Sequence, residues 1–136
     1  MKEKELIAAA LKARQESYSP YSGYCVGAAL YAEDGRIFTG CNIENAAYTP
    51  TICAERTAFF KAVSEGVLKF RAIAIVGSPR GAVTQYAWPC GVCRQVMMEF
   101  CDPDTFVVIT AKSTEEYEKR TLRALLPEGF GPANLA

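Results

Sequence analysis

The chain is predicted to fold as an α/β protein, a three-layer α/β/α sandwich around a mixed, roughly five-stranded sheet. Three observations predict it. Apolar runs of strand length alternate with stretches whose apolar residues recur at helical spacing, the pattern of one sheet covered on both faces. The pair Asp34-Gly35 lies between two such runs and marks a hairpin, so the sheet has at least one antiparallel pair. A length of 136 residues, half of them apolar, gives enough core for a single domain over 1–136 and too little for two.

The elements follow in order. From Glu3 to about Gln15, Leu6, Ile7, Ala10 and Leu11 fall on one helical face and leave Lys4, Lys12 and Arg14 to solvent. Ser19-Pro20-Tyr21-Ser22-Gly23 breaks that helix, and Tyr24 to Ala32 is apolar enough for a strand buried on both faces. After the Asp34-Gly35 turn, Arg36 to Cys41 returns antiparallel, and Asn42 to Asn45 forms a loop. Thr51 is placed to cap a helix from about Ile52 to Glu65, which Gly66 ends in the left-handed conformation. Phe70 to Val76 is a strand, and Gly77 to Pro89, rich in Gly, Pro and small residues, is a loop. Gly91 to about Phe100 is helical and Thr105 to Thr110 a strand. Tyr117 to Leu126 divides into a short strand and a helical turn before Pro127, and the tail from Glu128 has turn composition.

Charge and composition exclude several functions. Lys and Arg number 15 and Asp and Glu 15, which leaves no electrostatic footprint for a polynucleotide backbone or an anionic membrane surface. A small neutral substrate fits better. The charged start Met1-Lys2-Glu3-Lys4-Glu5 leads into an amphipathic run, and no apolar stretch approaches the roughly 20 residues that span a bilayer, so a cytoplasmic location is expected. In that reducing compartment 6 cysteines point to a metal or a catalytic thiol rather than to disulfides. Histidine is absent, so proton transfer near neutral pH falls to a carboxylate, a thiol, a tyrosine or an acidified water.

The chemistry concentrates in Cys53-Ala54-Glu55 and Pro89-Cys90-Gly91-Val92-Cys93. Three thiolates and a nearby carboxylate suit a zinc ion with one position open for a water that the metal acidifies and Glu55 deprotonates; four protein ligands would close the site. Cys53 falls in the first turn of one predicted helix, and Cys90 and Cys93 at the start of another, so two positive helix ends favour thiolate at the metal. One Zn²⁺ with three thiolates carries a net charge of minus one. Arg56 and Arg94, each directly after a motif residue, are the side chains available to offset it, and Arg56 is preferred.

Cys101 lies eight residues beyond Cys93 on the same predicted helix, about 12 Å along its axis, and cannot reach the same ion. Cys25 and Cys41 sit on predicted strands as small buried hydrophobes. Two other classes compete for the cysteine pair. Trp88-Pro89-Cys90-Gly91-Val92-Cys93 has the leading tryptophan of thioredoxin-like redox motifs, although its proline precedes the pair, and a C-x-x-C also serves structural zinc modules. Both readings leave Cys53 and Glu55 unexplained.

The order of Cys53, Glu55 and Pro89-Cys90-x-x-Cys93 is that of the zinc deaminases, in an all-cysteine version. With Gly40-Cys41-Asn42-Ile43-Glu44-Asn45-Ala46-Ala47-Tyr48, Tyr18-Ser19-Pro20-Tyr21-Ser22 and Leu125-Leu126-Pro127, nearly the whole chain resembles the cytidine deaminases of nucleoside salvage, specifically their short homotetrameric type. The resemblance implies zinc on Cys53, Cys90 and Cys93, and Glu55 as proton shuttle. It implies a ribose clamp of Asn42 and Glu44, an aromatic at Tyr24 beside sugar and base, and backbone groups at Ala54 on the pyrimidine. It further implies that Phe130 reaches into a neighbouring subunit's site to stack on the base. Ordinary core or interface packing is the competing account of Tyr24 and Phe130. The implied reaction is hydrolytic deamination of cytidine and 2′-deoxycytidine in pyrimidine salvage, with a blasticidin S-type nucleoside antibiotic as the alternative substrate. Trp88, where many relatives carry a serine, and a long Gly77 to Ala87 loop depart from the family pattern at the pocket rim.

Overall fold

A computed structural model describes residues 2–136. The elements are α1 (Glu3–Arg14), β1 (Tyr24–Ala32), β2 (Ile37–Cys41), α2 (Ala54–Ser64), β3 (Phe70–Pro79), α3 (Gly91–Phe100), β4 (Val107–Ala111), β5 (Tyr117–Thr121) and α4 (Leu122–Leu125), with a 3-10 turn at Pro132–Asn134. The five strands lie in the order β2-β1-β3-β4-β5. Only β3 and β4 run parallel; the other neighbours are antiparallel. The connection between that parallel pair passes through α3, as a crossover must.

Strand alternation sends two sets of side chains to opposite faces. Along β3, Ala72, Ala74 and Val76 join Ala29, Ile109 and Ala111 beneath Leu6, Ile7 and Ala10 of α1. Ile73 and Ile75 point the other way, with Leu30 and Val108, into a core with Ala58 and Phe59 of α2 and Cys93 and Met97 of α3. The sheet is thus covered on both faces, as the alternation of patterns predicts. The α1 face is floored largely by alanine, which lets the helix approach closely. A Cβ added at Gly27 would lie 2.1 Å from the Ala10 carbonyl oxygen. On the opposite face a Cβ at Gly40 would come within 2.5 Å of Ala54 O and 2.7 Å of Ala58 N, so the first turns of α2 rest directly on β2. No helix among the described residues is long and apolar enough to cross a membrane.

Most boundaries agree with expectation, including the left-handed glycines at Gly35 (φ 94°) and Gly66 (φ 87°). Two do not. The second helix starts at Ala54 rather than Ile52, because Ile52 and Ile43 exchange backbone hydrogen bonds of 3.0 Å and hold the chain extended through Cys53, which is the N-cap. Thr51 caps nothing; its hydroxyl accepts the Asn45 N–H at 3.0 Å. The third strand runs on to Pro79, since Tyr24, Cys25 and Val26 at the start of β1 pair with Pro79, Ser78 and Gly77. The Gly77 to Pro89 loop is correspondingly shorter.

Candidate active site

The close approach of α2 to β2 and the crossover into α3 bring two helix starts together. Cys53 is the N-cap of α2, Cys90 the N-cap of α3, and Cys93 sits in the first turn of α3. Their three sulfurs all lie within 4.8 Å of one another. A tetrahedral zinc about 2.3 Å from each sulfur would hold them about 3.8 Å apart. The Cys53 and Cys90 sulfurs are 3.8 Å apart. Donor type, number and spacing therefore fit zinc, with one coordination position left to a small ligand.

The surroundings favour an anionic sulfur at Cys53. A hydrogen bond from the Cys93 thiol, aided by the Arg56 guanidinium and the Cys90 thiol, pulls Cys53 down to about 5, while the same shared hydrogen bond and burial push Cys93 up. Both helices add the positive ends of their dipoles. Arg56 Nη2 donates to Cys53 Sγ at 3.3 Å, and its buried Nε has no protein partner. Arg94 is occupied elsewhere: Nε donates to Pro89 O and Nη1 to Leu125 O, both at 2.6 Å. Of the two arginines, Arg56 alone touches a sulfur of the cluster.

The other cysteines stand apart. Cys101 caps the far end of α3, buried, and burial pushes its thiol up. Cys25 is buried beside Ser19 Oγ at 3.2 Å, and Cys41 donates to Glu16 O at 3.3 Å. Cys41 is half-buried rather than buried, because β2 is an edge strand.

Glu55, one residue into α2, is only 5% exposed. Burial pushes its carboxyl up to about 7, and the Cys53 thiolate adds to the shift. A carboxyl in that range takes up and gives back protons near neutrality.

Glu55, Cys53 and Cys90 open into a cavity of about 470 Å³, which Ala54, Tyr24, Asn42 and Glu44 also line. Two of the three sulfurs, those of Cys53 and Cys90, thus share one cavity with the Glu55 carboxyl and with the polar side chains of Asn42 and Glu44. Asn42 Oδ1 accepts the Val26 N–H at 3.0 Å and Nδ2 donates to Tyr24 O at 2.8 Å, which fixes the amide orientation. Glu44 Oε1 accepts the backbone N–H groups of Tyr21 (2.9 Å) and Ser22 (3.1 Å). Gln85 Nε2 donates to the Tyr24 hydroxyl at 2.7 Å, tying β1 to the loop after β3.

Phe130 does not line this cavity in its own chain. It is 57% exposed, and its carbonyl accepts from Gln95 Nε2 at 2.8 Å. Tyr86, Trp88 and Ser22 are wall residues that site prediction from sequence did not select, although Trp88 and the loop holding Tyr86 stood out as departures. Lys112 lies 4.8 Å from the centre of the Tyr86 ring and Arg120 is 5.2 Å from that of Trp88, so cations from β4–β5 brace both aromatics.

Comparison with known proteins gives one consistent picture. Residues 1–110 match the model of the cytidine and deoxycytidylate deaminase zinc-binding region. The chain is 52% identical over 132 residues to a cytidine deaminase of Sporosarcina psychrophila, covering 97% of this chain and 93% of that one. It is 47% identical over 125 residues to one from Halalkalibacterium halodurans, covering 92% and 91%. Among solved structures, the cytidine deaminase of Burkholderia pseudomallei superposes with a TM-score of 0.83 at 44% identity, covering 96% of this chain and all of that one. That of Mycobacterium tuberculosis gives 0.80 at 36% identity, covering 96% and 98%. A three-sulfur cluster, a buried glutamic acid beside it and matches along almost the whole chain agree: the protein belongs to the cytidine and deoxycytidylate deaminase family.

Proposed function

We propose that this chain is a zinc-dependent cytidine deaminase that converts cytidine and 2′-deoxycytidine to uridine and 2′-deoxyuridine with release of ammonia. The observation that carries it is the buried Glu55 beside the cluster of three sulfurs, with Glu55, Cys53, Cys90, Asn42 and Glu44 lining one cavity of about 470 Å³. Cys53, Cys90 and Cys93 hold the zinc, whose Lewis acidity, when bound, makes a water nucleophilic near neutral pH. Glu55 takes a proton from the attacking water and passes it to N3 of the base as the oxygen adds to C4. It then delivers the water's second proton to the amine, and ammonia leaves as the C4–N bond breaks. Arg56 offsets the net negative charge of the cluster. Ala54 offers backbone groups to the pyrimidine, Tyr24 flanks sugar and base, and Asn42 and Glu44 hold a ribose hydroxyl.

The direct test follows cytidine by ultraviolet absorbance alongside zinc content. One tightly held zinc with turnover of cytidine is expected; bound zinc with no turnover of cytidine or deoxycytidine would return the chain to a structural zinc module, and reversible thiol oxidation without metal to a redox protein.

We assign all 136 residues to one working domain and the protein to pyrimidine salvage in the cytoplasm, where its 6 free cysteines stay reduced. The assembly we propose is a homotetramer with shared sites. Its motivation is Phe130, an exposed aromatic near the end of the chain, paired with a cavity that this chain leaves open. Glu55→Gln and Phe130→Ala subunits refolded together are expected to recover activity that neither variant has alone, because some sites combine an intact Glu55 with a neighbour's intact Phe130. If Phe130→Ala is itself severely impaired and mixed tetramers recover nothing, Phe130 serves its own subunit or only packs.

A further inference from the structure

The structure assigns Ser22 and Ser17 as positioning residues that fix the hydrogen-bonding polarity of the clamp, leaving Asn42 only a donor and Glu44 only an acceptor for whatever lies between them. This rests on the reading of Asn42 and Glu44 as partners of a sugar hydroxyl.

The polarity follows from counting donors and lone pairs. The Asn42 amide oxygen has two lone pairs. One takes the Val26 N–H and the other the Ser17 hydroxyl, so the oxygen is full. The amide nitrogen spends one hydrogen on Tyr24 O and keeps one. Glu44 is held ionised, its carboxyl pulled below the usual range first by the Ser22 hydroxyl and further by the backbone N–H groups of Ser22 and Tyr21. Those two N–H groups fill Oε1, and the Ser22 hydroxyl takes one lone pair of Oε2. The Ser22 hydroxyl cannot turn away freely, because the Tyr24 N–H donates to its oxygen at 3.0 Å and leaves the hydrogen aimed at the carboxylate. One N–H of Asn42 and one lone pair of Glu44 Oε2 remain.

A hydroxyl satisfies that remainder completely, donating to Glu44 and accepting from Asn42. A hydrogen in its place satisfies neither. A fluorine accepts from Asn42 but sets its negative end against the carboxylate. Cytidine and 2′-deoxycytidine share the 3′-hydroxyl and differ at 2′, so for these substrates the clamped hydroxyl is read as the 3′, and the serines act on which 3′-substituent is selected rather than on the base.

The test compares kcat/KM for deoxycytidine, 2′,3′-dideoxycytidine and 2′,3′-dideoxy-3′-fluorocytidine. The expected order for the unaltered protein is hydroxyl above hydrogen above fluorine. In Ser22→Ala the ratio of deoxycytidine to dideoxycytidine is expected to fall about tenfold, the scale of one misdirected hydrogen bond, chiefly as a rise in KM for deoxycytidine. Ser22→Thr, which keeps the hydroxyl, should hold the ratio within about twofold of the original, and Ser17→Ala should lower it about threefold. Adding Ser22→Ala to Glu44→Ala should lower the ratio no further. Equal losses on all three substrates in both serine variants would show that the serines only maintain structure and would overturn the assignment. If Glu44→Ala collapses the ratio while both serine variants leave it unchanged, the positioning role falls and the sugar reading stands. If Glu44→Ala leaves it unchanged as well, the sugar reading falls and the positioning role with it.

Discussion

Replacing Glu55 by glutamine is expected to lower kcat on cytidine by two or more decades while zinc content stays at one per chain. The amide keeps the shape of the side chain, so the helix start that carries Cys53 is undisturbed. It cannot carry a proton. Loss of a general acid and base costs two to four decades, and two decades correspond to about 2.7 kcal/mol of transition-state stabilisation. The native carboxyl is pushed up to about 7 chiefly by burial, the range in which a group both accepts from water and gives to an amine. Glutamine is neutral at every pH and carries no desolvation penalty of a charge, so the folded protein should tolerate it. Metal analysis and a turnover assay on the same preparation check both halves. Near-normal turnover with zinc still bound would remove Glu55 from the proton path.

The parts of the molecule legible in sequence share a property: their signal is local. The limits of β1 and α3 follow from apolar runs bounded by Gly, Pro and turn pairs, and the left-handed Gly35 and Gly66 from what only glycine adopts without strain. The sulfur cluster was legible because two short motifs name all three ligands, and helix N-termini are a recurring place for thiolates. Features made by distant partners were not legible. The start of α2 is set by a bridge between Ile52 and Ile43, which overrides Thr51 as a cap. The end of β3 is set by the start of β1 rather than by its own apolar run. Tyr86 and Trp88 are pocket walls whose rings meet Lys112, just after β4, and Arg120 of β5, and no periodicity encodes those contacts. Ser22 and Ser17 look like turn residues, and only their hydroxyl partners, about 20 to 25 residues away in sequence, connect them with the clamp.

Alanine at Cys53, Cys90 or Cys93 is expected to abolish zinc binding at stoichiometric metal and with it all turnover, whereas Cys101→Ala and Cys25→Ala should keep one zinc per chain. The division comes from position. Three sulfurs within 4.8 Å of one another supply every protein ligand the cluster offers, so removing one leaves two, too few to hold the ion against competing water. Cys53→Ala should damage the fold as well as the site, because Arg56 Nη2 loses its sulfur partner while the buried Nε of the same guanidinium already lacks one. A half-buried cation without its anion is destabilising, and the double variant Cys53→Ala/Arg56→Gln should regain part of the lost stability while remaining metal-free. Cys101 and Cys25 are buried small hydrophobes remote from the cluster, and truncating each should cost about 1 kcal/mol of packing with the metal site intact. Zinc analysis and thermal melts across the five single variants and the double one separate these effects. Loss of metal in a folded Cys101→Ala protein, or full retention in Cys90→Ala, would mean that the ion is held by a different set of sulfurs.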